Sequence, residues 1–167
     1  MRRVLVIGSP GAGKSTFARK LRSATGLPLY YLDMLWHRPD RTNVSEAEFD
    51  AALGAVLGTD RWIVDGNYLR TLERRLQACD TVFLFDIPAA LCMEGAASRV
   101  GTPREDIPWV EEDFDEEFRR QIEEFPQKEL PLVRAALSRC GAGKEIVEFS
   151  SRRAADEYID GILNNKK

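Results

Sequence analysis

Gly8-Ser9-Pro10-Gly11-Ala12-Gly13-Lys14-Ser15 fits G-x-x-x-x-G-K-[ST] at every fixed position, and what flanks it decides the fold. Before it, Arg3-Val4-Leu5-Val6-Ile7 is a β-branched apolar run that reads as a buried strand. After it, Lys14 to Thr25 carries Phe17, Ala18 and Leu21 on one helical face and stops at Gly26. The glycines of such a strand-turn-helix let successive backbone N–H groups point inward, while the positive end of the helix faces an anion. Lys14 is then placed to reach β- and γ-phosphate oxygens, and the Ser15 hydroxyl to ligate Mg²⁺. The candidate nucleotide-binding set is therefore Gly8, Ser9, Pro10, Gly11, Ala12, Gly13, Lys14 and Ser15, with Thr16 following in the helix. The expected ligand is a nucleoside triphosphate, ATP or GTP, with magnesium.

Outward from this motif, strands and helices alternate. Leu29 to Leu32, Trp62 to Val64, Thr81 to Phe85 and Glu145 to Phe149 read as further strands. Ser45-Glu46-Ala47-Glu48 has the spacing of a capping box and opens a helix to about Leu57. Other helices are expected at Leu69 to Gln77, Ala89 to Ser98, Val110 to Glu124, Pro131 to Arg139 and Arg153 to Leu163, with Pro126 separating the third from the fourth. The alternation predicts a three-layer α/β/α fold with a five-stranded parallel sheet. Ligands of such sheets lie beyond the carboxyl ends of the strands, which singles out Asp33, Asp65, Asp86 and Ser150 beside the glycine-rich loop.

Composition narrows the partners. A chain of 167 residues suits one domain. Its net charge of −3 gives no general attraction for phosphate polymers, so nucleic acid is a disfavoured partner. Cys79, Cys92 and Cys140 lie far apart, with no CxxC pair, and read as free thiols. The single histidine, His37, excludes a His-rich metal site. The opening apolar run is too short for a signal-peptide core and no stretch approaches membrane-spanning length, so the expected location is cytoplasmic.

The chain resembles the nucleoside-monophosphate-kinase-like P-loop proteins, and among them the "topology modulation protein" family related to adenylate kinase. The residues carrying the resemblance run from the P-loop through Tyr31-Leu32-Asp33 with Trp36, Ile63-Val64-Asp65-Gly66-Asn67-Tyr68, Arg75-Leu76 and Asp80 to Asp86, to Phe118 and Phe125-Pro126. The resemblance implies a sheet order of 2-3-1-4-5, with strand 3 beside strand 1. On that order Asp65, not Asp86, adjoins the P-loop as the magnesium-associated carboxylate. It also implies an acceptor-binding flap over about 33–58 and a short lid over about 99–108. In adenylate kinase the strand-3 motif continues Asp-Gly-Phe-Pro-Arg, whereas here it continues Asn67-Tyr68-Leu69-Arg70, so those substrate contacts do not transfer.

Asp33, at the mouth of the expected site, is a candidate to position an acceptor hydroxyl, take its proton or hold Mg²⁺ through water; the alternative is a turn residue ending a strand. Trp36 reads equally as flap core or acceptor platform. Arg99 and Arg104 flank the lid and are the candidate cations over a migrating phosphate, while Arg70, Arg74 and Arg75 follow strand 3 and otherwise read as a solvated helix face. In the family the helix after strand 4 carries basic and aromatic residues leading into a basic lid. Here that helix reads Cys92-Met93-Glu94-Gly95-Ala96-Ala97-Ser98-Arg99 and the short lid after it holds two prolines, which thins the charge available for transfer. The acidic Glu111 to Glu124 stretch reads as a solvated helix and opposes a DNA-binding face. The expected activity is transfer of the ATP γ-phosphoryl group to a small acceptor, nucleotide-like or a hydroxyl-bearing metabolite, with a non-catalytic or slowly hydrolysing nucleotide-binding protein as the alternative. Lys14→Ala is expected to abolish thermal stabilisation by Mg-ATP, and unchanged stabilisation in a melting assay would remove the P-loop assignment.

Overall fold

The computed structural model describes residues 1–165. Its strands are β1 (Arg3–Gly8), β2 (Leu29–Tyr31), β3 (Trp62–Asp65), β4 (Thr81–Phe85) and β5 (Glu145–Phe149), all parallel and ordered β2-β3-β1-β4-β5. This is the order that the resemblance implied. β1 lies at the centre, and its alternation sorts the molecule into two cores. Val4 and Val6 face one, Leu5 and Ile7 the other, and all four are fully buried.

The first core lies under α1 (Lys14–Thr25), α5 (Ala89–Ala97) and α8 (Arg152–Asn164). Phe17 of α1 meets Phe83, Phe85 and Phe149 edge-on, at ring separations of 4.9, 5.3 and 5.3 Å. This aromatic cluster clamps the helix that follows the glycine-rich loop onto strands β4 and β5. The second core lies under α3 (Glu46–Leu57), α4 (Leu72–Ala78) and α7 (Leu130–Cys140), and is filled by Phe49, Leu53, Trp62, Leu76 and Val133. Ser45 caps α3 through the expected capping box with Glu48. All three cysteines are free thiols. No helix among the described residues is long and apolar enough to cross a membrane.

Local structure departs from the sequence expectations in four places. The second strand ends at Tyr31, and Leu32 opens a short helix, α2 (Leu32–Trp36), so Asp33 lies in a helical first turn. The reason is the neighbour: Tyr31 pairs with Asp65, where β3 ends, so Leu32 has no ladder partner and instead buries its side chain. Residues 110–115 are not helical. The helix there, α6 (Glu116–Lys128), begins only where the Asp115 carboxylate accepts from the Glu117 N–H at 3.0 Å. Pro126 lies inside α6 instead of ending it. An interior proline costs about 3 kcal/mol, and the burial of Ile122 and Phe125 on the same helix offsets that cost. A 3₁₀ turn, Leu69–Thr71, also precedes α4.

Phe17→Ala is expected to lower stability by about 3–5 kcal/mol in urea denaturation. A loss below about 1 kcal/mol would show that the aromatic cluster does not anchor α1.

Candidate functional site

The site is built where β1 and β3 end side by side. Val6 pairs with Asp65, which brings the end of β3 level with the start of the glycine-rich turn. Gly8 has φ +125°, and a Cβ there would stand 2.2 Å from the Phe85 carbonyl oxygen. No side chain fits at that close approach. Gly13 takes a left-handed conformation at the start of α1, which leaves the first N–H groups of the helix facing the turn.

Three charged or hydroxyl groups converge beyond it. Lys14 Nζ donates to the carbonyls of Gly8 and Ser9 at 2.9 and 2.8 Å. Ser15 Oγ donates to Asp65 Oδ2 at 2.6 Å. Asp65 is buried, and its other oxygen, Oδ1, has no hydrogen-bond partner. Burial pushes the Asp65 carboxyl up to about 6, against the pull of Lys14 and the Ser15 hydrogen bond. Burial also lowers Lys14, opposed by the charges of Asp65 and then Asp33. Asp65 is thus a buried charge and Lys14 a half-buried one, and each favours the other's charged form.

The segment leaving β3 is fastened to the P-loop by side chains whose roles the sequence did not disclose. The Asn67 amide closes on Gly8 from both sides: Nδ2 donates to the Gly8 carbonyl and Oδ1 accepts from the Gly8 N–H, each at 2.9 Å. Tyr68 has φ +39°, rare for a non-glycine residue, and its hydroxyl donates to Asp33 Oδ1 at 2.7 Å. Arg75 holds this backbone in place. Its guanidinium donates to the carbonyls of Gly66 (2.8 Å), Tyr68 (2.9 Å) and Asn67, and to Thr71 Oγ1 (3.3 Å). Fully buried with no carboxylate beside it, Arg75 is pulled down to about 9 by desolvation. It is a structural cation, not a solvated one. The signal was its position on the apolar stripe with Leu72 and Leu76, three residues and one residue away.

The other expected cations divide. Arg70 and Arg74 turn to α3: Arg70 binds the Asp50 carboxylate at 2.7 Å, and Arg74 the Asp50 carbonyl at 3.2 Å. Arg99 and Arg104 both reach the site. Arg104 lies 3.4 Å from Asp106 and 3.5 Å from Glu111, while Arg99 lies over the Phe118 ring. Arg99 Nε and Arg104 Nη1 are buried without hydrogen-bond partners. Desolvation and the neighbouring Arg104 lower Arg99. Glu105 holds the 99–108 segment against the body, accepting from Tyr31 Oη at 2.9 Å and from Arg22 at 3.2 Å. Asp86 lies elsewhere, paired with Arg134 at 2.8 Å.

These groups line a cavity of about 840 Å³ that runs from Lys14, Ser15 and Asp65 past Asp33 to Trp36 and Trp109. Trp36 both lines the cavity and packs edge-on against Phe49 at 5.5 Å. A second cavity, of about 260 Å³, opens on the other side of the glycine-rich loop, between α1, α5 and α8. Thr16 and Arg152 line it, and Arg152 ties the loop to α5 by donating to Leu91 O at 2.6 Å and Gly11 O at 3.1 Å. No group of three or more His, Cys, Asp or Glu side chains among the described residues forms a metal cage.

No family model matches the chain, and no curated protein matches it in sequence. Solved structures share its fold. A shikimate kinase from Acinetobacter baumannii in complex with shikimate superposes with a TM-score of 0.62 at 17% identity, over 99% of this chain and 95% of that one. A gluconokinase from Sinorhizobium meliloti 1021 gives a TM-score of 0.57 at 15% identity, over 98% and 90%. At such identities the likeness is one of fold: the five-stranded sheet, its 2-3-1-4-5 order and helices on both faces.

Asn67→Ala removes both side-chain bonds to Gly8 and is expected to weaken Mg-ATP affinity about tenfold, since a tenfold change is only about 1.4 kcal/mol. Calorimetric titration checks it, and unchanged affinity would show that the loop holds its shape without Asn67.

Proposed function

We propose that this protein is an ATP-dependent phosphotransferase acting on a small hydroxyl-bearing acceptor. One observation carries the reading: the hydroxyl of Ser15 and the buried carboxylate of Asp65 meet at 2.6 Å with Asp65 Oδ1 unpartnered, on the same cavity as Lys14 and Asp33. Magnesium suits this donor set, because it takes one or two hard protein oxygens together with phosphate oxygens and water, not an all-protein cage. Ser15 and Asp65 would hold it, and when bound it neutralises charge on the β- and γ-phosphates.

The chain's own residues supply the rest. The N–H groups of Gly8 and Ser9 are taken by Asn67 Oδ1 and the Phe85 carbonyl, so the phosphates fall to the backbone N–H groups of Gly13 to Thr16, and Lys14 exchanges the Gly8 and Ser9 carbonyls for phosphate oxygens. Asp33, oriented by the Tyr68 hydroxyl, positions the acceptor hydroxyl and takes its proton. The acceptor oxygen forms a bond to the γ-phosphorus as the bond to the β,γ-bridging oxygen breaks. ADP leaves with that electron pair. Arg99 and Arg104 neutralise the migrating group, which requires Arg104 to loosen from Asp106 and Glu111. In this reading residues 33–58 form the acceptor flap and 99–108 the lid of a single domain. The protein works in the cytoplasm on small molecules, without nucleic acid. The likeness to the topology modulation protein family belongs to the same proposal.

A second reading, a nucleotide-binding protein that does not transfer, is favoured by one feature: Arg104 is already paired with two carboxylates. Release of ADP from Mg-ATP with a panel of nucleosides, sugars and polyol acids separates the two. Acceptor-dependent release well above background is expected; tight ATP binding with no stimulation by any acceptor would favour the second reading. Asp65→Asn is expected to lower turnover at least a hundredfold, about 2.7 kcal/mol of barrier, and Asp86→Asn by far less. The reverse order would reassign the metal-associated carboxylate.

A further inference from the structure

The acceptor end of the large cavity has a charge of its own. Residues at the phosphate end are set apart by geometry: Lys14, Ser15, Arg99 and Arg104 line both cavities and so lie where the two meet at the glycine-rich loop. Away from that junction the wall turns acidic and aromatic. Asp113, Asp115, Glu117 and Glu129 line it and form no ion pair among the described residues. Trp36, Tyr68 and Trp109 add ring surface.

Most cations around this end are already paired, and Arg120 of α6, which forms no ion pair among the described residues, does not line the cavity. Arg41 is the one arginine lining it, and it pairs with Glu112 at 3.6 Å while lying over the Trp109 ring. Arg38 pairs with Glu48, and Arg70 with Asp50 and Glu46. On α6 the cavity receives Glu117, Phe118 and Gln121, whereas Arg119 turns to Glu116 and the Phe114 ring. α3 carries no basic residue at all. An anionic acceptor entering here would meet unpaired carboxylates and, among the described residues lining this end, no unpaired arginine or lysine. A positively charged one would gain Coulomb attraction from several carboxylates, together with the ring faces of the tryptophans.

We propose that the acceptor is a hydroxyl compound bearing an ammonium group, such as an amino sugar, an amino-cyclitol or an amino alcohol, and not a carboxylate or phosphate ester. This rests on the phosphotransferase reading only for what happens after binding. The hydroxyl would face Asp33 and the phosphate end, and the ammonium group the Asp113 and Glu117 wall. That arrangement separates the two demands on charge: cations where phosphate moves, anions where the acceptor is recognised.

The test is binding, measured by calorimetry on the full chain saturated with Mg²⁺ and a non-hydrolysable ATP analogue. Matched triplets serve as probes: an amino sugar or amino-cyclitol, its neutral parent, and the corresponding acid, with shikimate and gluconate among the acids. At least one amine is expected to bind ten times more tightly than its acid counterpart, with the preference shrinking as salt is raised. The double variant Asp113→Asn/Glu117→Gln, at exposed positions, is expected to erase most of that preference while leaving analogue affinity unchanged. Acids binding as well as amines, a preference that survives the double variant, or no binding by any triplet would overturn the proposal. ADP release with the best-binding amine then tests transfer separately: binding without phosphoryl transfer would defeat the kinase reading and leave this one standing.

Discussion

The parallel register of β1 on β3 is the constraint from which the site follows. Val6 opposite Asp65 brings a strand-end carboxylate to the start of the glycine-rich turn, close enough for Ser15 to bond it at 2.6 Å. Side chains on a strand alternate between faces, so a slip of one residue would turn Asp65 away and put Val64 in its place. Both strands are buried on both faces, and that burial makes the register costly to change. The burial of Asp65 is the other side of the same arrangement: a charge removed from water acts more strongly on its neighbours.

Arg75 extends this control to the loop. A fully buried guanidinium without a carboxylate partner is expensive to keep. Here its donors are met by three successive carbonyls, Gly66, Asn67 and Tyr68, and by the Thr71 hydroxyl. Fixing those carbonyls fixes where the intervening side chains go. Asn67 then reaches back to Gly8, and Tyr68, in its unusual backbone conformation, reaches across to Asp33. One buried cation thus links the phosphate-binding turn to the residue proposed to meet the acceptor.

Much of the fold was legible because it rests on local pattern. Apolar β-branched runs announced the strands, and Ser45 with Glu48 announced the start of α3. The errors fall where a distant neighbour overrides local preference. Leu32 continued a strand-like run but had no ladder partner, since β3 ends opposite Tyr31. Pro126 looked like a terminator, yet Ile122 and Phe125 are buried on its helix, which continues through it. Arg75 looked like surface until the Gly66–Tyr68 carbonyls surrounded it.

By itself the sequence determined the chemistry of the P-loop and the alternation of the fold. Glycine at positions that forbid a side chain, lysine and serine at the head of a helix, and a strand before them are properties of consecutive residues. Local pattern left open which carboxylate stands beside that loop and which charges are free; the resemblance pointed to Asp65, and the tertiary structure decided both. Asp65 and Asp86 both follow apolar strands, and nothing local distinguishes them. The order of strands in the sheet does, giving Asp65 to Ser15 and Asp86 to Arg134. The acidity of the far wall depends in the same way on which arginines find partners, and those partners lie many residues away. Charge in a cavity is a sum over neighbours in space, and a chain read in order does not reveal them.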